Sequence, residues 1–169
     1  SDATYRVYAS PKESPDDGAR TDEVDPHDLV ASPFGWHDTN GAPGAETTLT
    51  SGNNVNACVD ADGNNACDPG SQPDGGGGLI FQPPIDLTTQ EPADYRPAAV
   101  VNLYYWNNIV HDVTYQYGFD EAGGNFQENN YGHGGLGSDS VNADAQDGSG
   151  TNNANFSTPP DGSNPRMQM

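Results

Sequence analysis

One long periodic segment constrains the fold of this chain more than any other feature. It is DYRPAAVVNLYYWNNIVHDVTYQYGF, from Asp94 to Phe119. Asp94 can act as an N-cap, Pro97 suits the first turn of a helix, and Gly118 suits the end of one. Apolar residues recur at steps of three and four, at Val100, Leu103, Tyr104, Val110, Val113 and Tyr117. The segment therefore predicts an amphipathic helix over residues 97–117, about 20 residues long.

The remainder of the chain is typical of short strands joined by long loops. Only 32% of the residues are hydrophobic, and the 21 Gly and 14 Pro favour turns over further long elements. Short strands are predicted in TYRVY (4–8), LIFQPPIDL (79–87) and SVNADAQDG (140–148), whereas residues 52–78 are predicted to be almost pure loop. We expect an α+β fold, in which an irregular, loop-rich, twisted and mostly antiparallel sheet packs on the one long helix.

The charge balance excludes some classes of partner. Five basic and 25 acidic residues give a formal net charge of −20. A field of this sign repels phosphate backbones and anionic lipids, so we expect binding to neither nucleic acid nor a membrane surface. No apolar run approaches the length of a membrane span. The acidity, with Lys12 as the single lysine, is typical of a secreted or salt-adapted protein and favours cation binding.

The chain has two cysteines, Cys58 and Cys67, which enclose eight residues in a loop without a core of its own. In an acidic chain that we expect to be exported, this spacing favours a disulfide, which would stabilise the fold by about 2 to 3 kcal/mol. Two free thiols or half of a metal site are the alternatives. No C-x-x-C pair and no nearby histidine supports a zinc site here.

The loop between the cysteines contains the acidic run DADGNNACD. Oxygen ligands alternate along it at Asp60, Asp62, Asn64 and Asp68. A calcium loop needs such spacing, because a hard cation requires several oxygens on a tightly turned backbone, and thrombospondin-type calcium repeats have similar runs. Asn65 stands where an EF-hand has its invariant Gly, and Ser71 where it has its bidentate Glu. A solvated Asp/Asn-rich turn closed by the disulfide explains the run equally well.

The residues alone indicate no catalytic constellation. None of His27, His37, His111 and His133 belongs to an H-E-x-x-H zinc pair. His111, followed by Asp112 in the predicted helix, could act as a base with an orienting carboxylate, although a packing histidine is the commoner role. Serine nucleophile elbows, P-loops and dinucleotide fingerprints do not occur.

Three longer runs resemble the fungalysin family of secreted zinc metallopeptidases: YYWNNIVHD, YGFDEAGGNFQENN and DGSGTNNANFSTPPDG. ASPFGWHDTNG followed by GNNVNA shows the same resemblance, which covers residues 4–169 and is weakest at 52–78, where we expect a Cys- and Gly-rich insertion. The resemblance implies that residues 1–169 form the N-terminal subdomain of a two-part catalytic domain. The C-terminal half of that domain would supply H-E-x-x-H and a further Glu as zinc ligands. The chain alone is then predicted to be extracellular, inactive and without catalytic zinc.

The resemblance also assigns a role to the run TNNANF (151–156). In thermolysin-like enzymes, to which fungalysins are related, a similar segment forms an edge strand beside the zinc, and the substrate peptide adds to it as a further strand. By this similarity Asn153 would bind substrate through its side-chain amide and Ala154 through its backbone carbonyl. In thermolysin-like enzymes an aromatic residue directly follows the alanine, whereas here Asn155 lies between Ala154 and Phe156. The register can therefore differ by one residue, and Asn155 is included among the predicted substrate-binding residues. An ordinary polar edge strand is the alternative.

Two other functions fit the same residues. One is a non-catalytic module that captures extended peptides, and the other is an extracellular module stabilised by calcium. Zinc is expected only in the parent enzyme, together with a peptide or protein substrate. A strand at RMQM (166–169) would lack its neighbour, so we expect it to be frayed, swapped or paired with the edge strand of another copy.

Overall fold

The computed structural model describes residues 3–169, which form one long helix and two small sheets. The helix, α1, spans Arg96–Tyr115. The strands are β1 Thr4–Val7, β2 Thr21–Val24, β3 Val55–Val59, β4 Ile80–Phe81, β5 Val141–Ala145, β6 Asn155–Ser157 and β7 Arg166–Gln168. Short 3-10 turns lie at Pro15–Asp17, Gly76–Gly78, Pro92–Tyr95 and Glu121–Gly123. The prediction of an α+β fold with one long helix is confirmed.

Helix α1 lies within two residues of its predicted bounds at each end. Asp94 belongs to the preceding 3-10 turn, where its carboxylate accepts a hydrogen bond from Glu91 N at 3.0 Å rather than capping α1. Three of the predicted apolar positions are exposed in this chain: Val110 by 56%, Val113 by 52% and Tyr117 by 88%. Val110 and Val113 therefore lie on an exposed face of the last turns of α1, whereas Asn108, His111 and Asp112 of the same turns are buried.

The strands pair in a mixed pattern. One sheet has the order β2-β1-β4 and the other β3-β5-β7-β6. The pairs β1–β2 and β6–β7 are antiparallel, and β1–β4, β3–β5 and β5–β7 are parallel. The expectation of mostly antiparallel pairing is therefore wrong. Parallel pairing requires a long crossover, and the chain from β3 to β5 contains α1, which provides one.

Residues 52–78 are not almost pure loop, because β3 lies within them. Every β3 side chain except that of Asn56 is buried, and all five residues pair with β5, from Val55 with Val141 to Val59 with Ala145. Because Gly, Asn and Asp residues surround this strand, its sequence is typical of a loop. Its burial comes from pairing with a strand far along the chain, which no local pattern indicates.

An aromatic cluster joins α1 to the three-stranded sheet. Tyr5 of β1 lies at its centre, with its ring centroid 5.2 Å from Trp36, 5.4 Å from Phe81 and 5.9 Å from Tyr104. All four rings are almost fully buried. Burying aromatic rings of this size gives a large hydrophobic stabilisation, so this cluster fixes α1 against the sheet. Among the described residues, no helix is both long and apolar enough to cross a lipid bilayer.

Candidate functional site

Strand β6 forms an exposed edge of the four-stranded sheet. On one side it pairs with β7, Asn155 with Gln168, Phe156 with Met167 and Ser157 with Arg166. On its other side no strand of residues 3–169 pairs with it, and all three of its residues are exposed. An unpaired edge offers free N–H and C=O groups to an extended peptide, so β6 has the geometry that strand addition needs.

The predicted peptide-binding residues lie at the start of this edge. Asn153 and Ala154 directly precede β6, Asn155 is its first residue, and all three are exposed. Asn153 and Asn155 line a small polar pocket together with Asp147 and Gln168. Within that pocket Gln168 Nε2 donates a hydrogen bond to Asp147 Oδ2 at 3.0 Å. Asn153 and Asn155 are thus exposed at the edge, while the neighbouring Gln168 and Asp147 are hydrogen-bonded to each other.

Strand β7 holds the edge in place and is an inner strand. It lies between β5 and β6, so the prediction of an unpartnered strand at 166–169 is wrong. The sequence could not reveal this, because β7 pairs with β5, more than twenty residues earlier. An ion pair between Arg166 and the fully buried Asp144 of β5 locks the two strands together. Burial raises the pKa of Asp144, and the hydrogen bond from Arg166 opposes that rise.

A wide apolar groove runs between α1 and the β6–β7 pair. It has a volume of about 450 Å³. Leu103, Trp106 and Val110 of α1 form one wall, and Phe156 and Met167 form the other. Phe156 is 44% exposed and belongs both to the groove and to the edge strand. Sequence reasoning missed this groove, although the exposed apolar positions late in α1 are a signal that the helix has an uncovered face.

The pair His111 and Asp112 belongs to a buried hydrogen-bond network. His111 Nδ1 lies 2.9 Å from Asp112 Oδ1. The Asp112 carboxylate also accepts hydrogen bonds from Ser32 Oγ at 2.7 Å, Trp36 Nε1 at 2.9 Å and Asp28 N at 2.9 Å. Asp112 therefore anchors the loop at residues 28–36 to α1. This role in packing accounts for the pair without a role in proton transfer.

The two cysteines form the predicted disulfide, with their Cα atoms 5.5 Å apart. The bond fixes the end of β3 to the acidic loop that follows it. In that loop, ligand atoms of Asp60, Asp62 and Asp68 lie within 4.8 Å of one another. Backbone N–H groups of the loop donate to these side chains: Asn64 Oδ1 accepts from Ala66 N at 2.9 Å, and Asp60 accepts from Asn65 N at 2.7 Å. The fold thus brings together the three predicted aspartates.

A second acidic group shares a member with the first. Asp60, Asp144 and Asp147 also place ligand atoms within 4.8 Å of one another. These two are the groups of three or more His, Cys, Asp or Glu that come this close within residues 3–169, and both consist of aspartate alone. Carboxylate oxygens suit hard cations such as calcium, whereas catalytic zinc sites characteristically include histidine or cysteine. The described residues therefore do not fit a catalytic zinc.

A family model described as Fungalysin metallopeptidase (M36) matches residues 4–169. The chain belongs to the fungalysin metallopeptidase family. Among its relatives, the "Probable extracellular metalloproteinase 5" of Trichophyton verrucosum is 44% identical over 169 residues, which are all of this chain. The "Extracellular metalloproteinase mep" of Aspergillus fumigatus is 43% identical over 99% of the chain, and the "Extracellular metalloproteinase MEP" of Fusarium vanettenii is 42% identical over 99%.

This fungalysin chain spans about a quarter of the length of those relatives. The aligned region is 26% of each of them. The three relatives are all named extracellular. The exposed edge, the apolar groove and the acidic groups therefore describe one region of a family whose members are much longer.

Proposed function

We propose that this region supplies the substrate-binding edge and one wall of the active-site cleft of a secreted zinc metalloendopeptidase. Its parent protein would hold the zinc, which activates water and polarises the peptide carbonyl, through ligands outside these 169 residues. This region binds and orients the peptide. The observation that carries the proposal is the bare outer edge of β6, directly after Asn153 and Ala154.

The edge suits an endopeptidase because it binds the main chain of the peptide. Backbone groups of β6 would pair with backbone groups of any extended peptide, so affinity would depend little on sequence. Asn153 adds a side-chain amide that is free to hydrogen-bond. Ala154 has the smallest side chain after glycine, so it lets the peptide approach closely. A larger side chain at position 154 should therefore impair catalysis by excluding the peptide sterically. Loss of the Asn153 amide should impair it by removing a hydrogen bond to the peptide.

Substitutions in the parent protein test this proposal. Asn153→Ala should lower kcat/KM for a peptide substrate about tenfold, the equivalent of one lost hydrogen bond. Ala154→Leu should lower it further by excluding the peptide from the edge. Ser157→Ala is the matched control, because Ser157 lies in β6, close in sequence to Asn153, and its side chain is likewise exposed but would contribute only its backbone. A value of kcat/KM for Asn153→Ala within twofold of the unsubstituted protein would refute the role of Asn153.

A calcium-stabilised loop is a second proposal for this region. It is supported by the convergence of Asp60, Asp62 and Asp68 in a loop held by the disulfide. Calcium would relieve the repulsion between these carboxylates, so the melting temperature should be higher in calcium than in EDTA. Asp62→Asn should abolish that difference. Asp16→Asn should leave it intact, because Asp16 lies in an exposed turn that is distant in sequence from the acidic loop. An equal melting temperature in calcium and EDTA would exclude the site.

A further inference from the structure

Strand β6 contains a sequence motif that main-chain binding of a peptide does not use. Its three residues, Asn155, Phe156 and Ser157, fit the pattern N-x-S/T with x other than Pro, which is the acceptor motif for N-linked glycans. The chain has 17 asparagines, and Asn155 is the one that is followed two positions later by Ser or Thr. All three residues are exposed, and their backbone is extended. The acceptor motif therefore coincides with the open edge of the four-stranded sheet.

The alternation of side chains along β6 decides where a group attached to Asn155 would lie. Phe156 pairs with Met167, and both line the apolar groove on the α1 side of the sheet. Successive side chains of a strand point to opposite faces, so Asn155 and Ser157 lie on the other face, which we call the polar face. Gln168, the partner of Asn155 across the ladder, lines the same small polar pocket as Asn155. A glycan on Asn155 would thus stand away from the groove.

The chemistry of attachment needs the side-chain amide of Asn155 and an oligosaccharide donor. The amide nitrogen would form a bond to the anomeric carbon of an oligosaccharide carried on a lipid pyrophosphate. The amide loses one proton, and the lipid pyrophosphate is the leaving group. A neutral glycan is not repelled by the net charge of −20, and it would extend from an exposed residue into solvent.

We propose that Asn155 carries an N-linked glycan, which stands on the polar face of the sheet beside its open edge. Backbone hydrogen bonds between β6 and an added peptide lie in the plane of the sheet, whereas the glycan leaves that plane with the Asn155 side chain. The edge therefore stays open to a single extended peptide. The modification also takes the Asn155 side chain out of the set that binds substrate, so Asn153 and Ala154 remain to align the peptide.

Mass spectrometry of the full-length parent protein tests the attachment. The parent is produced in a eukaryotic host behind a cleavable export signal of that host, and a peptide that contains Asn155 is isolated. An N-glycosidase should release a glycan from this peptide and convert the Asn155 amide to a carboxylate. Heavy-oxygen water labels that carboxylate, which excludes earlier spontaneous deamidation. More than about half of the molecules should carry the glycan, and a lower occupancy would overturn the proposal.

Two substitutions of Ser157 provide matched variants. Ser157→Ala removes the hydroxyl that the acceptor motif requires, and Ser157→Thr keeps one. The first should lose the glycan and the second should retain it, whereas a glycan that persists in S157A would contradict attachment through this motif. In protein from a bacterial host that lacks this pathway, Ser157→Ala remains a control for peptide binding at the edge.

The same two variants, made in the eukaryotic host, test where the glycan stands. Because the glycan leaves the plane of the sheet, kcat/KM for a short peptide should agree between S157A and S157T within about threefold. A larger difference would mean that the glycan covers the edge, and it would overturn the placement on the polar face.

Occupancy is read from mass alone, so it does not depend on peptidase activity. The inference rests on the proposed secretion of the parent, because the glycan is added during export, and the export signal of the host supplies that step in the test. An active parent with a bare Asn155 would reject the inference and leave the proposed function standing. An inactive but glycosylated parent would do the reverse.

Discussion

The four-stranded sheet has two outer strands, β3 and β6, and their outer edges differ in how they are covered. The outer edge of β3 is covered by residues 50–52, which we call the covering segment: Ser51 bridges Asn56, and Ala57 N donates to Thr50 O at 2.8 Å. No strand of residues 3–169 pairs with the outer edge of β6. Exposed edges invite unwanted pairing, so proteins usually cover them. A fold that covers one edge with its own loop and leaves the other open has an edge available for binding.

Loss of Arg166 should produce the largest effect, because among the described strands β6 pairs with β7 alone. Arg166→Met leaves the buried Asp144 carboxylate without its charge partner, so we expect the free energy of unfolding to fall by about 3–5 kcal/mol. The double variant D144N/R166M removes the buried charge as well and should recover part of this loss. Urea unfolding measures both. Equal losses in the two variants would show that the ion pair itself does not hold β7.

Acid should loosen the covering segment through His37. A neutral ring donates through Nδ1 to Ser51 O at 3.0 Å and accepts at Nε2 from Tyr5 Oη at 2.7 Å. Burial lowers the pKa of His37 from 6.5 to about 4. The stabilisation by the neutral ring is therefore complete above pH 6.5 and is lost as the pH falls towards 4, a decrease of about 3 kcal/mol. Urea unfolding between pH 7.5 and 4 measures this, and a His37→Gln variant with the same pH slope would contradict it.

The disulfide also stabilises the covered side of the sheet. It ties Cys58 of β3 to the loop whose Asp68 N donates to Val59 O at 2.8 Å. The double substitution Cys58→Ala and Cys67→Ser should lower the free energy of unfolding by about 2.5 kcal/mol, because a short loop is no longer closed in the unfolded chain. Thermal unfolding followed by circular dichroism provides the measurement. A change below about 1 kcal/mol would mean that hydrogen bonds alone secure this edge.

The smallest predicted effect compares the two edges directly. Thr50 is fully buried, and its Oγ1 donates to Ala57 O at 2.8 Å. Thr50→Ala should lower the free energy of unfolding by about 1–2 kcal/mol, because the Ala57 carbonyl loses the hydrogen bond from Thr50 Oγ1. Ser157→Ala, at the exposed edge, should change the free energy of unfolding by less than about 0.5 kcal/mol. Equal effects in parallel urea titrations would remove the distinction between a covered and an open edge.

The sequence predicts the features that depend on neighbouring residues. The periodicity of residues 97–117 predicts α1, alternation predicts β1, and the spacing of Cys58 and Cys67 predicts their bond. The strand predicted in residues 140–148 is β5. Prediction from the sequence fails for β3, which lies among turn residues and gains its burial from β5. It fails likewise for β7, whose inner position depends on pairing with a distant strand, and for the groove, which only packing in three dimensions creates.

In the candidate site, too, some features could be predicted from the sequence and others could not. The run at Asn153–Asn155 was found by resemblance to a family, and the structure adds that the strand which follows it is an outer one. Nothing local marks Arg166 as the partner of Asp144, because acidic residues are abundant and 22 positions separate the two. Equally, no pattern indicates that Asn64 is engaged with Ala66 while the three aspartates converge.

The parallel pairing of β3 with β5 has a consequence for the order of folding. Facing residues of these strands are 86 positions apart, whereas β6 and β7 are joined by a short connection. Closing a long loop is entropically costly, and folds dominated by distant contacts form slowly. The antiparallel β6–β7 pair can therefore form before the sheet that will support it. During synthesis, α1 emerges before β5 and β7, so its apolar face is exposed until the four-stranded sheet is complete.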